Sequence, residues 1–196
     1  MSKKRVGILL AGGLSRRYGS PKAFAEMNGK KFHELVYETL YSVCDEVIVV
    51  TRNEFIDWFP KEYHVIVDIQ KYSGFGPLAG IYSAMEALDA DQYVVLPCDM
   101  PLITSSILKE LINYHTKEVT VVTSEGHLQP LVSVWNKNVK SKIRESLEKR
   151  ELKMTDVLEK TDMTQVDGSH LACSPNFFIN VNTPEEDKEM RKWKPL

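Results

Sequence analysis

Runs of apolar residues typical of buried strands alternate along the chain with segments whose apolar residues recur at helical spacing. The runs that predict strands are 5–11, 46–51, 63–68, 93–99, 119–124, 129–135 and 177–182. The segments that predict helices are 33–43, 78–90, 105–115, 139–151 and 183–193. This alternation is the order expected of βαβ units, so it predicts an α/β fold with a mainly parallel sheet flanked by helices. The irregular stretch 160–176 is predicted to be a loop.

Two helix starts carry local signals of their own. Pro77 stands where the segment 78–90 begins, and proline is tolerated in the first turn of a helix. Thr183 and Glu186 form a capping box, with Pro184 at the first helical position. The last helix is therefore predicted to start at residue 183.

Composition limits the class of protein. The chain has 196 residues, 43% of them hydrophobic, which predicts one domain over residues 1–196 with a core of its own. Its 25 basic and 27 acidic residues nearly cancel, so there is no overall basic field to hold a nucleic acid. The composition therefore favours a small-molecule ligand, bound by charged residues near the site, over a nucleic acid.

The cysteines and the first residues indicate a reduced compartment. Cys44, Cys98 and Cys173 are far apart and form no metal-binding pattern, so they are predicted to be ordinary thiols. The apolar run VGILLA near the start is too short for a signal sequence or a membrane span. These features predict a cytoplasmic protein that does not enter a membrane.

The loop after the first predicted strand combines backbone amides with positive charge. Gly12 and Gly13 let the backbone approach a ligand, and Arg16, Arg17 and Lys22 supply cations. The alternative is a strand-to-helix turn that simply needs glycine. The spacing matches neither the GxxxxGK[ST] nor the GxGxxG phosphate-binding pattern. A polyphosphate held by a loop of another kind is the leading interpretation.

Carboxylates stand at the ends of two predicted strands. Asp99 follows an apolar run that Pro101 interrupts, and it is the candidate ligand for Mg²⁺; the alternative is a turn or a helix cap. Asp68 precedes the glycine-rich stretch 74–80 and is a candidate contact for a base, a ribose or a second metal, although a turn role is an equal alternative. Both carboxylates would lie at the edge of the sheet where the glycine loop lies.

Other polar residues give weaker signals. Arg52 and Asn53 follow a strand and are expected to face solvent. None of the five histidines pairs with a serine or cysteine at an informative spacing, so covalent catalysis has no clear candidate.

Four motifs resemble those of one enzyme family. LAGGLSRRYGSPK at 10–22 resembles the LAGGxSxRMGxxK signature of nucleotidylyltransferases, and LPCDMPL at 96–102 resembles the metal motif of their molybdenum cofactor branch. GPLAG at 76–80 and NVNTPE at 180–185 are also similar to that branch. Since the four motifs occur in the family's order, the chain is identified by resemblance as a member of the molybdenum cofactor guanylyltransferases.

The resemblance implies a fold, a reaction and a set of site residues. The fold would be a single Rossmann-like α/β domain of the nucleotide-diphospho-sugar transferase type. The reaction would transfer GMP from GTP to the terminal phosphate of molybdenum-molybdopterin, with pyrophosphate as the other product and Mg²⁺ as the cofactor. The implied nucleotide contacts are Leu10, Ala11, Gly12, Gly13, Lys22, Asp68 and Asp99. Lys22, Asp99 and Arg16 would be catalytic, Asp99 would hold Mg²⁺, and Asn180 and Asn182 would lie near the pterin or the reacting phosphates.

Two positions depart from the wider pattern. Tyr18 replaces the usual methionine of the signature, which leaves the charged positions intact. Asn182 stands where sugar nucleotidylyltransferases often have a second acidic metal ligand. Metal binding is therefore expected to depend on the bound phosphates.

The resemblance leaves other functions to be tested. The presence of LAGG and GPLAG implies guanine rather than cytosine. The alternatives are a cytidylyltransferase for the same pterin, a nucleotidylyltransferase for another phosphorylated acceptor, and a nucleotide-binding regulatory module without activity. The resemblance implies two small-molecule substrates, GTP and molybdenum-molybdopterin. Transient contact with proteins of molybdenum insertion and molybdoenzyme maturation would also fit the family.

Overall fold

The computed structural model describes residues 3–13, 19–171, 174–181 and 186. Its strands are β1 (Arg5–Leu10), β2 (Glu26–Met27), β3 (Lys30–Lys31), β4 (Glu46–Thr51), β5 (His64–Val67), β6 (Gln92–Pro97), β7 (Val119–Ser124), β8 (His127–Asn136) and β9 (Met163–Asp167). Its α-helices are α1 (Phe32–Tyr41), α2 (Pro77–Ala87), α3 (Ser105–Asn113), α4 (Lys140–Glu148) and α5 (Met154–Leu158).

Seven of the described strands form one sheet in the order β5-β4-β1-β6-β8-β7-β9. Four of its six pairings are parallel, β4 with β5, β1 with β4, β1 with β6 and β7 with β9. The other two, which β8 makes with β6 and β7, are antiparallel. The predicted α/β fold with a mainly parallel sheet is confirmed. Strands β2 and β3 form a separate small hairpin.

The core lies on both faces of this sheet. Leu9 of β1 packs in one cluster with Leu40 of α1 and Leu108 of α3, whereas Ile8 packs in a second cluster with Ile81 of α2. Because successive side chains of a strand point to opposite faces, a central strand covered on both sides must be apolar throughout. This is why the central strands read as continuous apolar runs in the sequence.

The structure corrects two predictions near the end of the chain. The stretch 160–176, predicted to be a loop, contains β9, which pairs in parallel with β7 at the edge of the sheet. The run 177–182, predicted to be a strand, contains instead the end of a 3₁₀-helix, Pro175–Phe178. Phe177 and Phe178 are both buried, which the alternation of a strand facing one core does not allow. The predicted helix start at 183 lies outside the described residues.

Among the described residues, no helix combines the length and the apolar character needed to cross a bilayer.

Candidate active site

The order of the strands creates a crevice between β1 and β6. From β1 the chain moves to β4 and β5 on one side and then returns to β6 on the other. The loops that leave the carboxyl ends of β1 and β6 therefore diverge, and such a switch point is where open α/β sheets bind ligands. Gly12 follows β1 and Asp99 follows β6, so the two predicted residues flank this crevice.

A cleft of about 1080 Å³ opens over the crevice. That volume is large enough for a nucleotide-sized ligand. The lining residues come mostly from the segments that follow the parallel strands and from the start of α2: Leu10, Gly12, Gly13, Lys22, Val50, Thr51, Arg52, Asn53, Glu54, Val67, Asp68, Gln70, Ser73, Gly74, Gly76, Pro77, Gly80, Pro97, Cys98, Asp99 and Leu131.

Lys22 and Asp99 form an ion pair in this cleft. Lys22 Nζ lies 2.7 Å from Asp99 Oδ2, although the two residues are 77 positions apart in the sequence. Their side chains are 10% and 22% exposed. A short, charge-assisted hydrogen bond that is largely shielded from water orients both side chains. The cation and the carboxylate that the sequence predicted separately therefore meet.

The glycine loop is anchored to β4. Ala11 is buried, its N–H donates to the carbonyl of Val50 at 2.8 Å, and its carbonyl accepts from Thr51 Oγ1 at 3.3 Å. Leu10, Gly12 and Gly13 line the cleft, whereas Ala11 is not among the lining residues. Ala11 thus holds the loop in place while its neighbours face the ligand space.

Asp68 lies at the far side of the cleft, beside the start of α2. Burial raises the pKa of its carboxyl, and a hydrogen bond from the backbone N–H of Gly74 partly offsets that rise. Gly74 and Gly76 have φ values of 81° and 77°, which favour glycine, and Gly76 is the N-cap of α2. The positive end of α2 therefore points towards the cleft.

Gly80 lets α2 approach the sheet closely. A Cβ atom at this position would lie 3.0 Å from Leu10 Cδ2, 3.4 Å from Val50 Cγ1 and 3.7 Å from Asp68 Oδ1. The absence of a side chain at Gly80 thus sets the width of this side of the cleft.

Of the remaining predicted residues, only Asn180 is described, and it is not among the residues that line the cleft. Arg16, Arg17 and Asn182 lie outside the described residues. Asn180 is exposed, but the N–H of its neighbour Val181 donates to the carbonyl of Asp99 at 2.9 Å. The segment that carries Asn180 therefore lies against the turn that carries Asp99.

The residues after β4 also line the cleft. Asn53 is exposed and Arg52 is partly exposed, as expected for residues that face solvent, and both line the cleft together with Glu54. Asp68 and Asp99 were identified because each is a polar residue directly after a predicted strand. The same signal applied equally to Arg52 and Asn53. Gln70 and Ser73 also line the cleft and carried no separate signal.

The cysteine at the cleft is not a nucleophile. Cys98 is 7% exposed, and burial, assisted by the negative charge of Asp99, raises the pKa of its thiol to about 12. The thiol stays protonated at neutral pH, and only the thiolate reacts well as a nucleophile.

Among the described residues, no group of three His, Cys, Asp or Glu side chains is placed to hold a metal ion. Asp99, at the end of β6, therefore belongs to no group of three such side chains in the part of the chain that the structure describes. Mg²⁺ often binds through one or two carboxylates together with water and substrate phosphates, and a single carboxylate in a cleft fits this mode.

Comparison with known proteins agrees with this geometry. A family model for the MobA-like NTP transferase domain matches residues 7–165. The chain belongs to this family. As a MobA-like NTP transferase it is a nucleotidyltransferase, which confirms the class of enzyme that the four motifs predicted.

Curated relatives of this MobA-like transferase match over nearly the whole chain. A Bacillus subtilis protein named "Probable molybdenum cofactor guanylyltransferase" is 36% identical over 187 residues, which are 93% of this chain and 92% of that protein. A Bacillus cytotoxicus protein with the same name is 36% identical over 192 residues, 96% of each chain.

A solved structure of Archaeoglobus fulgidus molybdopterin-guanine dinucleotide biosynthesis protein A has the same fold. Its TM-score is 0.80 at 23% sequence identity, and the superposition covers 96% of this chain and 97% of that chain.

Proposed function

We propose that this protein transfers GMP from GTP to the terminal phosphate of molybdenum-molybdopterin, releasing pyrophosphate and forming molybdopterin guanine dinucleotide. The observation that supports it most is the Lys22–Asp99 pair at the switch-point crevice, beside a glycine loop and within a cleft large enough for a nucleotide. The names of the curated relatives indicate guanine as the base and the molybdenum cofactor as the acceptor.

The reaction needs positioning and charge neutralisation rather than a protein nucleophile. An oxygen of the acceptor phosphate forms a bond to the α-phosphorus of GTP, and the bond from that phosphorus to the oxygen bridging the β-phosphate breaks. Pyrophosphate leaves with the bonding electron pair. Because anions approach each other, cations and N–H groups fixed around the phosphates lower the barrier. The high pKa of Cys98 agrees with a direct transfer.

Lys22 and the glycine loop would hold the triphosphate. Lys22 pairs with Asp99 in the structure. With GTP bound, the ammonium group of Lys22 would turn to the phosphates, where it neutralises charge on the departing pyrophosphate. The N–H groups of Gly12 and Gly13 and the positive end of α2 would contribute further donors.

Asp99 would hold Mg²⁺ once Lys22 has turned to the phosphates. The bound metal would supply Lewis-acid neutralisation of the phosphates. Since one protein carboxylate gives weak binding alone, the affinity for Mg²⁺ should rise when a triphosphate completes the ligand set. Arg16 and Asn182 keep their proposed roles beside the phosphates and the pterin, and Asn180 is proposed to contact the pterin side.

Pyrophosphate release tests this function. The purified protein would be incubated with Mg²⁺ and molybdenum-loaded molybdopterin, and GTP, CTP, ATP and UTP would be offered separately. We expect pyrophosphate and the guanine dinucleotide with GTP alone.

Each other outcome identifies a different function. Release with CTP would indicate the cytidylyl reaction, and release with GTP only when another phosphorylated compound is added would change the acceptor. Binding of GTP without release under any of these conditions would indicate a regulatory nucleotide-binding module.

A further inference from the structure

A guanidinium and a carboxylate are paired at the end of the cleft away from Asp99. Arg52 and Glu54 follow β4, Arg52 Nε lies 2.5 Å from Glu54 Oε1, and both residues line the same cleft as Lys22 and Asp99. Their side chains are 40% and 50% exposed, so both can reach a ligand without breaking the core. The pair is not explained by the phosphate chemistry described above.

The sheet fixes how far this pair lies from the reacting phosphates. β4 and β6 are separated by β1, so their carboxyl ends are two strand spacings, about 10 Å, apart. A nucleotide whose α-phosphate lies near Asp99 therefore extends one ribose and one base towards β4. Leu10 and the glycines Gly74 and Gly76 before α2 also line the cleft, and a Cβ atom at either glycine would meet no heavy atom within 4 Å.

The hydrogen-bonding capacity of the pair complements guanine. A carboxylate is an acceptor only, and a guanidinium is a donor only. The edge of guanine presents N1–H and N2–H₂ as adjacent donors and O6 as an acceptor beside them, a pattern that adenine and cytosine do not offer. Glu54 stays ionised and acceptor-only, because its own backbone N–H and Arg52 hold the pKa of its carboxyl below the usual range.

We propose that Arg52 and Glu54 read the guanine base, with Glu54 accepting from N1–H and N2–H₂ and Arg52 donating to O6. This inference rests on the proposed use of GTP. A base that lacks the two adjacent donors gives no hydrogen bonds to the Glu54 carboxylate, and the loss of these contacts gives the selectivity.

Arg52 also links base recognition to the glycine loop. Its Cγ lies 3.8 Å from the position that a Cβ atom on Gly12 would occupy. The stem of Arg52 thus packs beside the loop that is proposed to hold the phosphates. A base seated on Arg52 and Glu54 therefore sets the position of the triphosphate as well.

Inosine triphosphate separates the two contacts, because it keeps N1–H and O6 but lacks the N2 amino group. We expect the wild-type protein to use GTP with a higher kcat/KM than inosine triphosphate. Glu54→Gln should lower kcat/KM for GTP by roughly 10–100-fold and for inosine triphosphate much less, so that the ratio between the two substrates approaches one. Arg52→Gln should lower kcat/KM for both substrates alike, mainly through KM, because both carry O6.

The matched control is Asp57→Asn, which removes an exposed carboxylate from the same 3₁₀-helix, Asn53–Trp58, but does not line the cleft. It should leave the substrate ratio unchanged, and thermal unfolding of all variants checks that they fold.

A Glu54→Gln variant with the wild-type ratio would overturn the proposal, and collapse of the ratio in Asp68→Asn instead would assign base reading to Asp68. If the wild-type protein neither binds nor uses GTP, the proposed function fails, which these measurements distinguish from a failure of the base-reading pair.

Discussion

Some side chains in this protein carry its proposed chemistry, and others contribute to its stability. Lys22 and Asp99 meet in the cleft at the carboxyl ends of the strands. His33 belongs to the second group: it is fully buried, and neither ring nitrogen has a hydrogen-bond partner among the described residues. Its ring lies among aromatic side chains, with centroids 5.3 Å from Phe24 and 4.8 Å from Phe59. Each group makes its own prediction.

Asp99→Asn should abolish turnover while leaving the fold intact. Asparagine keeps an oxygen acceptor for Lys22 but removes the negative charge that is proposed to hold the metal. We expect kcat to fall by at least about 100-fold, and the free energy of unfolding to fall by no more than about 2 kcal/mol. Pyrophosphate release and thermal unfolding measure the two effects. Asp89→Asn, an exposed change outside the cleft lining, is the control, and normal GMP transfer by Asp99→Asn would remove Asp99 from the metal site.

His33 should make the protein less stable in mild acid. Burial lowers the pKa of His33 to about 4, whereas the unfolded chain has a histidine pKa of about 6.5. Between these pH values the unfolded state binds a proton that the folded state does not, so stability falls as the pH falls. The loss should be about 3 kcal/mol between pH 7 and pH 4 and should level off below pH 4.

Denaturant unfolding between pH 7 and pH 4 measures this loss. His33→Phe, which keeps the ring contacts, should remove that part of the pH dependence, while His64→Gln at an exposed position should keep it. His115, whose pKa burial also lowers, contributes equally to all three proteins and cancels in the comparison. An unchanged pH dependence in His33→Phe would contradict the assignment.

At the scale of elements, the start of α2 forms one wall of the cleft. Gly76 caps the helix and Pro77 occupies its first turn, as the sequence predicted. Gly80, one turn further, lets the helix rest on β1 and β4. The position of this wall therefore depends on a residue that does not itself need to contact the ligand.

Gly80→Val should widen the cleft and weaken nucleotide binding. The added atoms would collide with Leu10 and Val50 and displace α2 from the sheet. Overpacking of this kind costs about 1–3 kcal/mol, and KM for GTP should rise more than kcat falls. Ala87→Val, at an exposed position of the same helix, adds a β-branched residue without the collision and should change KM little. Equal KM values for the two variants would show that α2 does not set the binding geometry.

Other elements show where the sequence is less informative. β9 carries polar residues at several of its five positions and joins the edge of the sheet, so it lacks the apolar run that marked the central strands. The residues FFI at 177–179 have such a run, but both phenylalanines pack inwards from a 3₁₀-helix. In both cases tertiary packing decides the secondary structure, and a local sequence pattern carries no information about that packing.

At the scale of the whole molecule, the sequence predicted the components of the site better than their arrangement. The order of strands and helices indicated that Gly12, Asp68 and Asp99 follow parallel strands, and hence share one edge. It did not indicate that β1 lies between β4 and β6, because pairing order is a property of the assembled sheet. Without that order, the contact between Lys22 and Asp99 and the position of Arg52 in the lining of the cleft could not be deduced.

The central position of β1 has a consequence for how the protein is made. β1 is the first strand of the sheet to leave the ribosome, yet both strands that pair with it are made later. One of its edges pairs with β4 (Glu46–Thr51), and the other pairs with β6 (Gln92–Pro97). Until the second partner emerges, the nascent chain carries an apolar strand with an open edge, which other unfinished chains could pair with. A ligand in the cleft cannot shield that edge either, because Asp99 follows β6 and the cleft is complete only after β6 has been made. Chaperone protection should therefore matter most between the synthesis of β1 and the synthesis of β6.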